Sequence, residues 1–575
     1  MRGSKADRPG SAVDFVSFAF DAQRDYPADK PLFIDAQDPG RSLRYAQTRS
    51  LVRKLVCGFM ASGLGKGDTV LLSATNSYLY AALLYGVIGA GGIACGVNPA
   101  WKVEELDHIL RQSEAKLIVA TPDSLPTVLS VAHGNKIPTD DLDAPLDFIT
   151  NIHSQDGRPD SFVGGCPHRI SDWFKIESEQ ALKETPAIYY PTSGTSGLPK
   201  LAMLSHHNLI MHHLSLYQPV PYPVICVLCL PFFRVFGAAW LVGFPLRYGE
   251  PAYVMPRFRL EDFVRNTARY GATEAYLTPI VHMLNKSPPP VRKLLETVRW
   301  AGVGGAPIDA DALRRFREAA LHPAATLSQV WGMTEVGAAC FFRYGNADAD
   351  LAAVGRMLEG YKIKLVDRES GLEVAAGDHM PGELFVRSPN VMMGYKGTVT
   401  PQEEGSEWFP TGDVVRVEDG KVYVVGRTKE LIKTKGWQVA PAEIEALILQ
   451  HPGVRDCAVV GVRSDDGTTE VPRAYVVRNP GSWLATSFRE KPSLGEEVYK
   501  LVADRLASYK RLEGGVVFVE NIPRTASGKT QRFRLVAVVE SGDGETTKLA
   551  GRPSPVVWAQ EFYMVVKSTL KKAFN

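Results

Sequence analysis

Between residues 30 and 390 the chain alternates short apolar runs with longer amphipathic stretches. Thr69-Val-Leu-Leu-Ser73 and Lys116-Leu-Ile-Val-Ala120 have the length and β-branched content of buried strands. Val103-Glu-Glu-Leu-Asp-His-Ile-Leu-Arg-Gln112 spaces its apolar residues as one face of a helix does. The alternation predicts mixed α/β layers. From about residue 350 the pieces shorten to β-like runs, Lys362-Ile-Lys-Leu-Val366 and Gly382-Glu-Leu-Phe-Val-Arg387, parted by Gly and Pro turns; they predict a β-rich subdomain. After Gly426-Arg427 come predicted helices over 441–450 and 494–507 and strands over 457–462 and 473–477, enough for a small α+β domain. The predicted layout is therefore a large domain over 1–425, a small domain over 426–540, and a linker with an amphipathic tail over 541–575.

The uncharged stretch from Thr69 to Trp101 raises the possibility of a membrane span. Asn76, Ser77 and the glycines from 89 to 92 break it into a helix and a strand, so it is read as buried core. A chain of 575 residues exceeds what one hydrophobic core organises. Its 65 Lys+Arg against 63 Asp+Glu leave +2, which gives no reason to invoke nucleic acid or an anionic membrane. Seven scattered cysteines, Cys57, Cys95, Cys166, Cys226, Cys229, Cys340 and Cys457, argue against a disulfide framework and for a reducing compartment. Cys226 and Cys229 form a C-x-x-C inside an apolar run, which reads as a buried strand. The polar N-terminus lacks a secretory signal and the C-terminal Ala573-Phe574-Asn575 is no peroxisomal address, so the expected location is cytoplasmic.

The densest chemical signal is Tyr190-Pro-Thr-Ser-Gly-Thr-Ser-Gly-Leu-Pro-Lys200. Small hydroxyl residues and glycines let backbone N–H groups approach polyphosphate closely, and the lysine adds a positive charge. The spacing is not that of a Walker A loop, and Gly528-Lys529-Thr530 has Pro523 where the first glycine of such a loop belongs. The histidine patch Ser205-His-His-Asn-Leu-Ile-Met-His-His213 has no acidic or cysteine ligands beside it and is read as structural.

The tract resembles the phosphate-binding motif of the adenylate-forming superfamily, which includes acyl-CoA synthetases, 4-coumarate–CoA ligases, luciferases and adenylation domains of peptide synthetases. The resemblance recurs in order from about Ser42 to Arg534. It runs through Val303-Gly-Gly-Ala-Pro307, Gln329-Val-Trp-Gly-Met-Thr-Glu335, Gly382-Glu383, Thr411-Gly-Asp413, Gly426-Arg-Thr-Lys-Glu430, Lys433-Thr-Lys-Gly-Trp-Gln-Val-Ala-Pro441 and Pro523-Arg-Thr-Ala-Ser-Gly-Lys529. It implies ATP, Mg²⁺ and CoA as cofactor and co-substrates and a small carboxylic acid as substrate. By this resemblance, Thr192, Ser193, Gly194, Thr195, Ser196, Gly197 and Lys200 hold the phosphates, Thr334 the α-phosphate and Glu335 the Mg²⁺. Gly304, Gly305, Ala306, Gln329, Trp331, Gly332 and Met333 surround adenine, with Trp331 stacking on it, and Asp413 takes the ribose hydroxyls. Lys529 is the catalytic lysine, Gly426 and Arg427 mark the hinge, and Lys433, Lys435, Gly436 and Gln438 lie around the adenylate and the pantetheine tunnel. The strip from Lys433 is nearest the 4-coumarate–CoA ligase branch.

Two positions depart from the pattern. Arg234, in Pro231-Phe-Phe-Arg-Val-Phe-Gly237, stands where relatives usually carry histidine, which suits an acid with a second acceptor or else a side chain pointing at solvent or a CoA phosphate. Val330 stands where many carry glycine, which shortens the pocket floor and points to a compact, heteroaromatic or short-chain acid. The sequence thus predicts an acid–CoA ligase. The alternative is a stand-alone enzyme loading an acid onto a carrier protein, though Phe233 to Phe236 offers no carboxylate for an amino group.

Overall fold

The computed structural model describes residues 13–134, 172–192, 199–277, 280–305, 308–367, 370–375, 380–398, 406–428, 430–434, 437–464, 469–479, 493–524, 530–532, 534–535 and 545–547. The chain divides into two compact units, Met1–Val425 and Gly426–Asn575.

The first unit holds two sheets. In a six-stranded sheet, Ala115–Ala120, Thr69–Ser73, Ile93–Gly96 and Pro186–Thr192 are parallel neighbours, followed by antiparallel Lys200–Ser205 and Gly394–Tyr395. The helix Tyr80–Gly89 is apolar on every side and buried throughout, as a helix of that composition must be. Its glycines let it press on the helix Tyr45–Ala61: a Cβ on Gly86 would stand 2.5 Å from Leu55 Cβ.

The second sheet has thirteen strands and two characters. Cys226–Leu228, Glu274–Leu277, Trp300–Gly304 and Thr326–Met333 run parallel. The helices Leu260–Tyr270 and Ala310–Ala320 cover them, packing Phe263, Leu313 and Phe316 into one core with Leu277, Val303 and Leu327. Beyond Thr326–Met333 the pairing turns antiparallel through Gly337–Phe341, Gly355–Met357, Lys421–Arg427, Phe409–Glu418, Gly382–Arg387 and Lys362–Val366. This half is the β-rich texture read from residue 350 onward.

The second unit packs the helices Pro441–Ile448 and Leu494–Arg505 on a sheet of Val454–Arg463, Glu470–Arg478, Val516–Phe518 and Glu545–Thr547, beside the hairpin Ile432–Thr434 with Trp437–Val439. The last strand corrects the reading of 541–555 as linker: Thr546 and Thr547, β-branched and polar, complete the edge of Val516–Phe518. The expected tail over 556–574 lies outside the described residues. Cys95, Cys226, Cys229, Cys340 and Cys457 are free and buried. Cys57 is disulfide-bonded, an exception to the disulfide-free reading, and Cys166 lies outside the described residues. Among the described residues no helix is long and apolar enough to cross a membrane.

Candidate functional site

The phosphate tract begins where one strand ends and finishes where the next begins. Thr192 and Lys200 face each other as the last pair of the antiparallel hairpin Pro186–Thr192 with Lys200–Ser205, so the loop's two ends are held side by side. Ser193, Gly194, Thr195, Ser196 and Gly197 lie outside the described residues.

In the parallel half of the thirteen-stranded sheet, Gly304 closes Trp300–Gly304, and Gly305 takes φ +100°, which a side chain rarely adopts. A Cβ on Gly304 would stand 3.2 Å from both Val330 O and the Phe236 ring, so a glycine lets the neighbouring strand and the Phe236 ring close on the backbone here. Ala306 lies outside the described residues. Gln329 is buried; its Nε2 donates to Leu351 O at 2.9 Å and its Oε1 accepts from Ile308 N at 3.4 Å. It therefore braces the segment after the glycine turn.

Trp331 donates its Nε1–H to Asp413 Oδ2 at 2.8 Å, with both side chains buried. Asp413 is itself set by Thr411, whose hydroxyl accepts from Asp413 N at 3.1 Å and donates to Leu384 O at 2.8 Å. The aromatic residue expected for adenine and the carboxylate expected for ribose thus share one hydrogen bond.

Thr334 and Glu335 occupy the turn between Thr326–Met333 and Gly337–Phe341, where Met333 is half-buried and Glu335 is 6% exposed. The turn is tight because Gly332 has no side chain: a Cβ there would lie 2.3 Å from Gly337 O. His212 supports it, accepting from Ala338 N through Nε2 at 2.9 Å. Burial pushes the His212 imidazole down to about 4, and that of His206, which accepts from Phe15 N, likewise to about 4. Both are neutral acceptors, and among the described residues no cluster of three or more His, Cys, Asp or Glu forms a metal cage.

Sequence reading missed Tyr395. Its hydroxyl donates to Glu335 Oε1 at 2.7 Å, and the Lys200 ammonium lies 5.3 Å from its ring centre. Nothing near Gly394-Tyr395 signals this, because the contact exists only after Gly394–Tyr395 pairs with Lys200–Ser205.

Arg234 precedes the helix Val235–Leu241. Its Nη1 donates weakly to Pro191 O at 3.3 Å, its Nε is buried without a partner, and no carboxylate pairs with it among the described residues. Burial lowers its pKa from the ordinary guanidinium value, yet arginine stays charged. The same helix carries Phe236 against Gly304 and Trp240 stacked on Tyr276 at 3.9 Å, with Trp300 and Val330 in the same core. The helix therefore touches the start of the phosphate tract through Arg234 and the glycine turn through Phe236, with buried aromatic rings behind it.

In the second unit, a Cβ on Gly426 would come within 2.7 Å of Leu431 Cδ2, so a close approach as well as freedom of rotation favours glycine there. Arg427 ends the strand Lys421–Arg427, and its carbonyl accepts from Glu430 and Leu431. Lys433 is exposed on Ile432–Thr434, its N–H bonded to Glu470 Oε2 at 2.9 Å, and Gln438 pairs with it across the hairpin. Lys435, Gly436 and Lys529 lie outside the described residues. On either side of the 525–529 segment, Arg524 and Thr530 bridge.

The family model described as AMP-binding enzyme matches residues 20–396, and its C-terminal domain model matches 443–529. A nicotinic acid–CoA ligase of Penicillium canescens is 42% identical over 95% of this chain and 100% of its own length. One of Aspergillus fumigatus is 39% identical over 94% and 98%. The ATP-bound MatB structure from Rhodopseudomonas palustris superposes with a TM-score of 0.74 at 26% identity, over 92% of this chain and 99% of that one. The chain belongs to the AMP-binding enzyme family, in which it is an acid–thiol ligase.

Proposed function

We propose that this enzyme converts a small, flat aromatic acid bearing a second hydrogen-bond acceptor, of which nicotinate is the first candidate, to its CoA thioester. The carboxylate attacks the α-phosphate of ATP, pyrophosphate leaves, and the CoA thiol then displaces AMP from the acyl-adenylate. The observation that carries the choice of acid is Arg234. A half-buried guanidinium with one weak backbone contact and no carboxylate partner among the described residues has donors to offer, and the helix that follows it carries Phe236 against the Gly304 turn. Val330 packs into the same core, with one Cγ 2.9 Å from where a Gly302 Cβ would stand, and its bulk where many relatives carry glycine favours a compact acid over a long chain. The two nicotinic acid–CoA ligases similar over nearly the full length support the same class.

In this reading Thr192, Lys200 and the tract between them bind the polyphosphate, Trp331 and the Gly304-Gly305 turn bind adenine, and Asp413 takes the ribose. Thr334 meets the α-phosphate. Glu335 is a hard oxygen donor beside a hydroxyl, the chemistry that Mg²⁺ takes when phosphates and water complete its shell. Bound there, Mg²⁺ supplies positive charge to the phosphates. Residues 1–425 form the adenylate-binding domain and 426–540 a mobile domain that brings Lys529 to the reacting carboxylate, then turns to offer Lys433, Gly436 and Gln438 for the thioester step.

The test is pyrophosphate release and thioester mass across nicotinate, benzoate, cinnamates and short acids. Preference for nicotinate over benzoate, reduced about tenfold in Arg234→Gln, supports the assignment. Equal use of both by the wild type, or turnover of alkanoic acids alone, overturns it.

A further inference from the structure

Lys200 and Glu335 carry opposite charges close to one ring, yet among the described residues neither has an ion-pair partner. The side chain between them is Tyr395. We infer that Tyr395 is a positioning residue that keeps Lys200 and Glu335 from neutralising each other, holding the ammonium on its ring face and the carboxylate on its hydroxyl.

Three observations carry this. The Tyr395 hydroxyl donates to Glu335 Oε1 at 2.7 Å, which fixes one carboxylate oxygen and orients the other. The Lys200 ammonium sits 5.3 Å from the Tyr395 ring centre, within the range of a cation–π contact. The backbone leaves the residue little freedom: Tyr395 pairs with Ala202, Met392 N donates to Glu335 O at 2.8 Å, and Lys396 N donates to Leu201 O at 2.9 Å. Lys396 is anchored in turn by its ion pair with Glu114 at 2.6 Å.

A direct Lys200–Glu335 ion pair would cancel the charge wanted by the polyphosphate and the charge wanted by its cation. Tyr395 satisfies both groups through different parts of one side chain and neutralises neither. The inference rests on the proposed roles of Lys200 and Glu335, and does not depend on which acid the enzyme uses.

The experiment uses the full chain with α,β-methylene-ATP, which cannot react, and Mn²⁺ followed by electron paramagnetic resonance. Tyr395→Phe keeps the ring and removes the donor; it is expected to weaken Mn²⁺ binding about tenfold while metal-free binding of the analogue holds. Tyr395→Leu removes both contacts and is expected to weaken metal-free analogue binding as well. In a Glu335→Gln background Tyr395→Phe should add no further loss of Mn²⁺. Wild-type Mn²⁺ affinity in Tyr395→Phe, identical behaviour of the Phe and Leu variants, or additive losses with Glu335→Gln would each overturn the inference. A wild type whose Mn²⁺ affinity is indifferent to Glu335→Gln would remove its foundation too.

Discussion

Trp331 and Asp413 lie 82 residues apart, and one hydrogen bond joins the expected adenine and ribose contacts. A hydrogen bond to a carboxylate is worth about 1.5–3 kcal/mol, roughly a tenfold effect or more on affinity. Trp331→Phe retains an aromatic face but loses the donor, so KM for ATP should rise about tenfold with KM for the acid unchanged in pyrophosphate-release kinetics. An equal rise in both would mean that the indole serves the whole site. Asp413 and Glu335 were legible from their motifs, because each motif is continuous in sequence. Tyr395 was not, because its partners Lys200 and Glu335 come from two distant strands.

At the scale of elements, the hairpin that presents Thr334 and Glu335 depends on groups outside the turn itself. A Cβ on Gly332 would meet only backbone, Gly337 O at 2.3 Å and Ala338 Cα at 2.7 Å, and backbone in a paired strand cannot give way. Gly332→Ala should cost about 1–3 kcal/mol in chemical denaturation and lower adenylation further than stability alone explains. His212 gives the hairpin a pH dependence. Its folded pKa of about 4 lies below the usual 6.5, so the unfolded chain binds the extra proton between those values. Its stabilising contribution is complete above about pH 6.5 and disappears as pH falls toward 4, amounting to about 2 kcal/mol lost at pH 5. Thermal unfolding from pH 7 to 5 should show that decline, and His212→Gln should flatten part of it. Two histidines of the patch, His206 and His212, accept backbone N–H groups, and which imidazole holds the hairpin depends on a helix packing beneath it.

For the whole molecule, the proposed mechanism assigns adenylation and thioester formation to different placements of the small domain. Lys529→Ala should therefore nearly abolish adenylate formation yet spare thioester formation from preformed acyl-AMP, measured as two half-reactions; equal loss in both would count against domain alternation. By itself the sequence determined the alternating strands and helices, the family and the residues within each motif, because periodicity and short motifs are local and every residue that defines them is adjacent in the chain. It also placed the helices Pro441–Ile448 and Leu494–Arg505 within a few residues. It could not assign Thr546 and Thr547 to a strand, since an edge strand of three residues takes its hydrogen bonds from Val516–Phe518 and carries no pattern of its own. Only the tertiary structure decided that Arg234 meets no carboxylate among the described residues and that Tyr395 stands between Lys200 and Glu335. Both are properties of what surrounds a side chain, and those surroundings are built from strands that the chain brings together only when it folds.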